Sequence, residues 1–111
     1  MVVLAEKPAM KKMLKLTVYS RNSDKYHGKS ISDALFELYQ KNSINGATIL
    51  QGIRGYGVRG ASRADVLGLS VNLPIIIETI DENQKIESII SSVKNIVGTN
   101  GLIMLEEVNT L

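Results

Sequence analysis

The spacing of apolar residues switches from every second position to every third or fourth and back, twice along the chain, and few folds accept that order. Lys12 to Ser20 alternates, with Leu14, Leu16 and Val18 on one side and Lys15, Thr17 and Tyr19 on the other, the period of a strand. Arg21 to Lys29 is polar and broken by Gly28, so it reads as a loop. Ser30 with Asp33 three residues on marks a helix start; Ile31, Ala34, Leu35, Leu38 and Tyr39 share one face of that helix, and Asn45-Gly46 ends the segment. Ala47 to Tyr56 predicts a second strand, Gly57 to Asn72 a long loop, and Leu73 to Asp81 a third strand. Asp81 with Gln84 gives a second capping pattern. It precedes a stripe of Ile86, Ile89, Ile90, Val93, Ile96 and Val97, closed by Gly98. Gly101 to Val108 is the fourth strand. The order β-α-β-β-α-β defines an α+β, ferredoxin-like fold, a four-stranded antiparallel sheet with two helices on one face.

Such a sheet has a second face, and the sequence says what covers it. Leu73-Pro74-Ile75-Ile76-Ile77 and Leu102-Ile103-Met104-Leu105 are apolar at consecutive positions, the pattern of strands buried on both sides. Two helices cover one side only. A large apolar face left open marks an interaction surface, and the expectation is that it packs against further copies of the chain.

The chain of 111 residues makes one domain, taken as 13–111, with residues 1–12 as an N-terminal extension. Val2-Val3-Leu4-Ala5 is interrupted by Glu6, Lys7 and Pro8, too short a run for a secretory leader, and no run is long enough to span a bilayer. The absence of cysteine excludes disulfides and thiolate chemistry and fits a cytoplasmic location. A net charge of +2 does not support wholesale binding to nucleic acid or membrane, so any functional positive charge is local.

It is concentrated in Gly52-Ile53-Arg54-Gly55-Tyr56-Gly57-Val58-Arg59-Gly60-Ala61-Ser62-Arg63. This stretch holds four of the nine glycines and three of the four arginines, the fourth being Arg21. Glycine lets backbone N–H groups approach a ligand, and arginine presents a planar fork to phosphate oxygens. The pairing suggests an anion site on a loop; the alternative is a hairpin with solvated arginines. Arg59 and Arg63 are the first candidates for phosphate contact and Arg54 the second, although Arg54 could instead pair with an acid such as Glu78. Tyr56 could stack on a base or fill an interface between copies. Gly52, Gly55 and Gly57 could bend a strand and so form the cleft. His27 stands alone, and with Asp24 it supplies at most two metal ligands, so no metal is expected. Asp24 and His27 read better as fixing the loop ahead of the first helix.

Several pieces in order resemble the DUF190 (UPF0166) family of the PII-like group, over about Met13 to Val108. They are Ser23-Asp24, His27-Gly28-Lys29, Gly46-Ala47-Thr48, Gly52, Gly55-Tyr56-Gly57, and Leu73-Pro74-Ile75-Ile76-Ile77-Glu78 leading to Asp81. The resemblance implies a homotrimer binding an adenine nucleotide (AMP, ADP or ATP) in clefts between subunits. It further implies a loop, here 57–72, that responds to ligand and contacts a partner protein; a family-level association points to a membrane transporter. Gly55-Tyr56-Gly57 resembles the glycine-aromatic-glycine at the base of that loop, and Thr48 the threonine near the adenine. Two departures stand out. No tyrosine lies in Gly57 to Asn72, where signalling members are nucleotidylated, and Asn100-Gly101-Leu102 replaces their glycine-lysine pair. A smaller nucleotide therefore matches better than a triphosphate.

The reading is thus of a regulatory binding protein rather than an enzyme, since no nucleophile with its base is visible. Two other classes stay open. One is a hydrolase acting on a phosphorylated small molecule; the other is an RNA-binding ferredoxin-like domain, disfavoured by few aromatics and an aliphatic open face.

Overall fold

The computed structural model describes residues 9–63 and 72–111, with the backbone alone at 61–63. The elements run β1 (Lys11–Arg21), β2 (Lys25–Tyr26), β3 (Lys29–Ser30), α1 (Ile31–Lys41), β4 (Thr48–Gln51), β5 (Arg54–Gly57), β6 (Gly60–Arg63), β7 (Pro74–Asp81), α2 (Asn83–Val97) and β8 (Leu102–Thr110). The main sheet has the order β4-β7-β1-β8, with every neighbouring pair antiparallel. The expected four-stranded sheet and two helices are therefore present.

Both helices bury the stripes read from their periodicity. Ile31, Ala34, Leu35 and Tyr39 of α1 pack with Ile86, Ile89, Val93 and Val97 of α2 against Leu14, Leu16 and Val18 of β1 and Ile75 and Ile77 of β7. Each such aliphatic side chain stabilises the fold by roughly 1.5–3 kcal/mol through burial. The Ser30 side chain accepts from the Asp33 N–H at 3.1 Å, which caps α1 as its sequence predicts.

Three expectations change. Ala47 to Tyr56 is not one strand but two, β4 and β5. Gly52 N–H donates to the Pro74 carbonyl at 2.8 Å, and Pro74 is the first residue of β7. Beyond that point no neighbouring strand continues among the described residues, so the chain leaves the sheet and folds back as a β5–β6 hairpin paired from Arg54↔Arg63 to Gly57↔Gly60. Within the predicted 21–29 loop, β2 and β3 form a miniature hairpin turning at His27-Gly28. Asp81 does not cap α2: it lies in β7, and Glu82 is the N-cap with no side-chain hydrogen bond. Of the predicted loop 57–72, residues 64–71 lie outside the described residues.

The sheet face away from the helices carries Tyr19, Leu50, Ile80, Leu102 and Met104, all exposed, around a Lys15–Glu78 ion pair at 3.3 Å. Thr17 sits at its centre, 2 % exposed, with no hydrogen-bond partner for its hydroxyl among the described residues.

Candidate functional site

The arginine-glycine stretch is built on a close backbone approach. A Cβ on Gly52 would lie 2.8 Å from the Pro74 ring, and one on Gly55 would lie 3.1 Å from it. A side chain at Gly52 would force one of the two segments to shift, and one at Gly55 would require the Pro74 ring to give by a few tenths of an ångström. Arg54 and Tyr56, two positions apart on β5, project from the side opposite Gly55 and face solvent. Tyr56 is 92 % exposed. A guanidinium and an aromatic ring therefore share one open face.

The hairpin's turn is tied to the body by polar contacts. Arg59 donates to Asp24 from both guanidinium nitrogens, Nη1 to Oδ1 at 2.7 Å and Nη2 to Oδ2 at 2.9 Å, and Nη2 also reaches the Asn100 carbonyl at 2.5 Å. Arg21 Nη2 donates to the Gly60 carbonyl at 2.7 Å; Gly60 itself has a φ of 103°, a conformation glycine adopts at little cost. Asp24 is buried and accepts further from Ser20 Oγ at 2.6 Å and Arg21 N–H at 2.9 Å. The Arg59 guanidinium, with the Ser20 and Arg21 donors, outweighs burial and lowers the Asp24 pKa to about 2. The same pairing raises that of Arg59.

These contacts decide what Arg59 is free to do. Asp24 is buried whereas the Arg59 side chain keeps 36 % of its surface exposed, so the pair is only partly desolvated. A charged hydrogen bond to a ligand returns about 1.5–3 kcal/mol. Engaging a ligand through these same donors would break the contacts to Asp24.

A second locus lies at the other end of β4. Asn45, Gly46, Ala47, Thr48, Glu78, Thr79 and Ile80 line an open groove of about 430 Å³. Asp81 holds its Asn45 wall: fully buried, it accepts from Asn45 N–H at 2.8 Å and Glu82 N–H at 2.7 Å, with Lys85 at 3.7 Å. Burial alone would raise its pKa, but those backbone donors and the lysine lower it. Thr79 Oγ1 also donates to the Gly46 carbonyl.

Thr48 pairs with Glu78, whereas Gly52 and Gly55 sit on Pro74. The two positions on β7 are four residues apart, roughly 13 Å at strand rise. Within one chain the structure therefore gathers Gly52, Arg54, Gly55, Tyr56, Gly57 and Arg59 at one end and leaves Thr48 at the other. The Arg63 side chain lies outside the described residues. The suggested Arg54–Glu78 pair does not form, because Glu78 is at the Thr48 end and pairs with Lys15. His27 turns the β2–β3 hairpin and stacks on Tyr26, ring centroids 4.2 Å apart. Sequence reasoning did not connect Asp24 to Arg59, nor single out Arg21 and the Asn100 carbonyl. Nothing in a single chain's residue order signals contacts between positions so far apart. Among the described residues no group of three His, Asp or Glu could hold a metal, and no helix is long and apolar enough to cross a membrane.

The fold, a four-stranded antiparallel ferredoxin-like sheet with two helices on one face, is that of PII-like proteins. CPII of Thiomonas intermedia K12, a nitrogen regulatory PII-like protein solved with ADP, AMP and bicarbonate, matches with a TM-score of 0.71 at 13% identity, over 92% of this chain and 91% of that one. A putative PII-like signaling protein from Thermus thermophilus matches with a TM-score of 0.58 at 19% identity, over 91% and 89%. The chain belongs to the DUF190 family, described as an uncharacterized ACR, whose pattern matches residues 13–110. A UPF0166 protein of Methanocaldococcus jannaschii is 37% identical over 83% of this chain and 85% of its own length. One from Aquifex aeolicus is 30% identical over 86% and 90%.

Proposed function

We propose that the protein is a regulatory, non-enzymatic module that assembles as a homotrimer and binds an adenine nucleotide in the clefts between copies. The observation that carries this reading is the fold match to CPII, a protein solved with ADP and AMP, over nearly the whole of both chains. The site geometry supports it. Arg54 and Tyr56 supply a cation and a ring on one open face, next to glycines that bring backbone close.

The distance between Thr48 and the hairpin supports the placement between copies. The exposed apolar sheet face gives copies a reason to associate, and a cleft between them would combine the Thr48 end of one chain with the Arg54 end of another. The segment 57–72 would then contact a partner protein in a ligand-dependent way. A ligand shifts such a segment only through unequal affinity for its two arrangements.

The test is calorimetry with AMP, ADP, ATP and cyclic AMP, alongside light scattering. Saturable binding of ADP or AMP by a species three times the chain mass is expected. A monomer, or indifference to all four nucleotides at millimolar concentration, removes the reading.

A further inference from the structure

Among the described residues the β5–β6 hairpin pairs only with itself, outside the main sheet. A two-stranded hairpin of four-residue strands is marginal in water unless something else holds it. Two things do so among the described residues: Gly55 resting on Pro74, and the polar contacts at the turn from Arg59 to Asp24 and Asn100 and from Arg21 to Gly60. Asp24 is in turn fixed by donors from Ser20 and Arg21 at the end of the central strand β1, and its own carbonyl accepts from Ile31 N–H at the start of α1. Position is thus handed from the core, through a buried carboxylate, to the tip of the hairpin.

We infer that Asp24 and Arg59 are a positioning pair, clamping the hairpin so that Arg54 and Tyr56 are held ready for ligand, and that Arg59 does not itself contact it. This deepens the nucleotide-binding reading and rests on it. The bidentate geometry is what a clamp requires, since a planar fork on a carboxylate fixes orientation as well as distance. Asp24 and the Asn100 carbonyl together engage both of its outer nitrogens and aim them at the body rather than at the open face of β5.

The pair separates three roles experimentally. The full chain and its Asp24→Asn, Arg59→Gln and doubly substituted variants are titrated with ADP and with adenosine, which lacks phosphate. Hydrogen exchange of the amides from 54 to 60 is followed without ligand. A clamp predicts that either single change weakens ADP and adenosine alike, by roughly tenfold, and that the double change adds little more. It also predicts faster exchange across 54–60 in all three variants. Tighter or unchanged ADP binding by Asp24→Asn overturns the inference, because it makes Asp24 a competitor or a bystander. A loss on Arg59→Gln confined to ADP overturns it equally, because it makes Arg59 a phosphate contact. Failure of the unmodified chain to bind either compound removes the nucleotide reading alone; the exchange rates then decide the clamp, which falls if they are unchanged.

Discussion

Gly52 and Pro74 are in contact where the sheet ends: the Gly52 N–H donates to the Pro74 carbonyl at 2.8 Å, and a Cβ on Gly52 would sit 2.8 Å from the Pro74 ring. This contact marks where the chain leaves β4 and begins the hairpin. Gly52→Ala is expected to push the two segments apart and to destabilise the protein by about 1–3 kcal/mol, the usual cost of overpacking. Urea unfolding measures the loss, and an unchanged midpoint would show that the ring moves aside freely.

Asp24 gives a pH dependence with a defined sign. Its pKa is lowered from 3.8 to about 2 in the folded chain, so the folded state binds fewer protons than the unfolded one. The associated stability is present above pH 3.8 and is lost as pH falls through about 2. It amounts to about 2 kcal/mol. Asp24→Asn is expected to flatten this part of the stability–pH curve, measured by denaturant unfolding at successive pH values, while Asp81, lowered in the same direction, keeps the remaining acid sensitivity.

Thr17 places a hydroxyl at the centre of the open sheet face, buried and unpartnered among the described residues. Replacing it with an apolar group of the same shape removes a desolvated donor at no packing cost. Thr17→Val is expected to leave the melting temperature unchanged or raise it, equivalent to about 0–1 kcal/mol. A drop of several degrees in thermal unfolding would mean that the hydroxyl has a partner in solution.

Met104 stands beside Thr17 in the β1–β8 register and is 39 % exposed. If the open face joins copies, a charge there is buried without a partner, at a cost of several kcal/mol per interface. Met104→Lys is expected to yield monomer by light scattering while circular dichroism shows the fold intact. A variant of unchanged mass places the contact between copies elsewhere.

Much of this was written in the residue order. The stripes from Ile31 to Tyr39 and from Ile86 to Val97, and the alternation through β1, set helix and strand because burying one face of each element is a local requirement of its own periodicity. Ser30 capped its helix for the same reason, its side chain needing only a neighbour three residues on. Asp81 carried the same local signal and did otherwise, because the strand continued through it and its carboxylate found Asn45 N–H across the fold.

What only the tertiary structure decided was how distant parts meet. The second strand broke at Gly52 because β7 begins at Pro74, a fact about a neighbouring strand rather than about residues 47–56. Arg59 and Asp24, one on a glycine-rich turn and one in a polar loop, came together only once β1 and the hairpin stood side by side. The separation of Thr48 from Arg54 likewise followed from register. Periodicity is read along the chain, whereas an ion pair or a close backbone approach depends on where separate elements end.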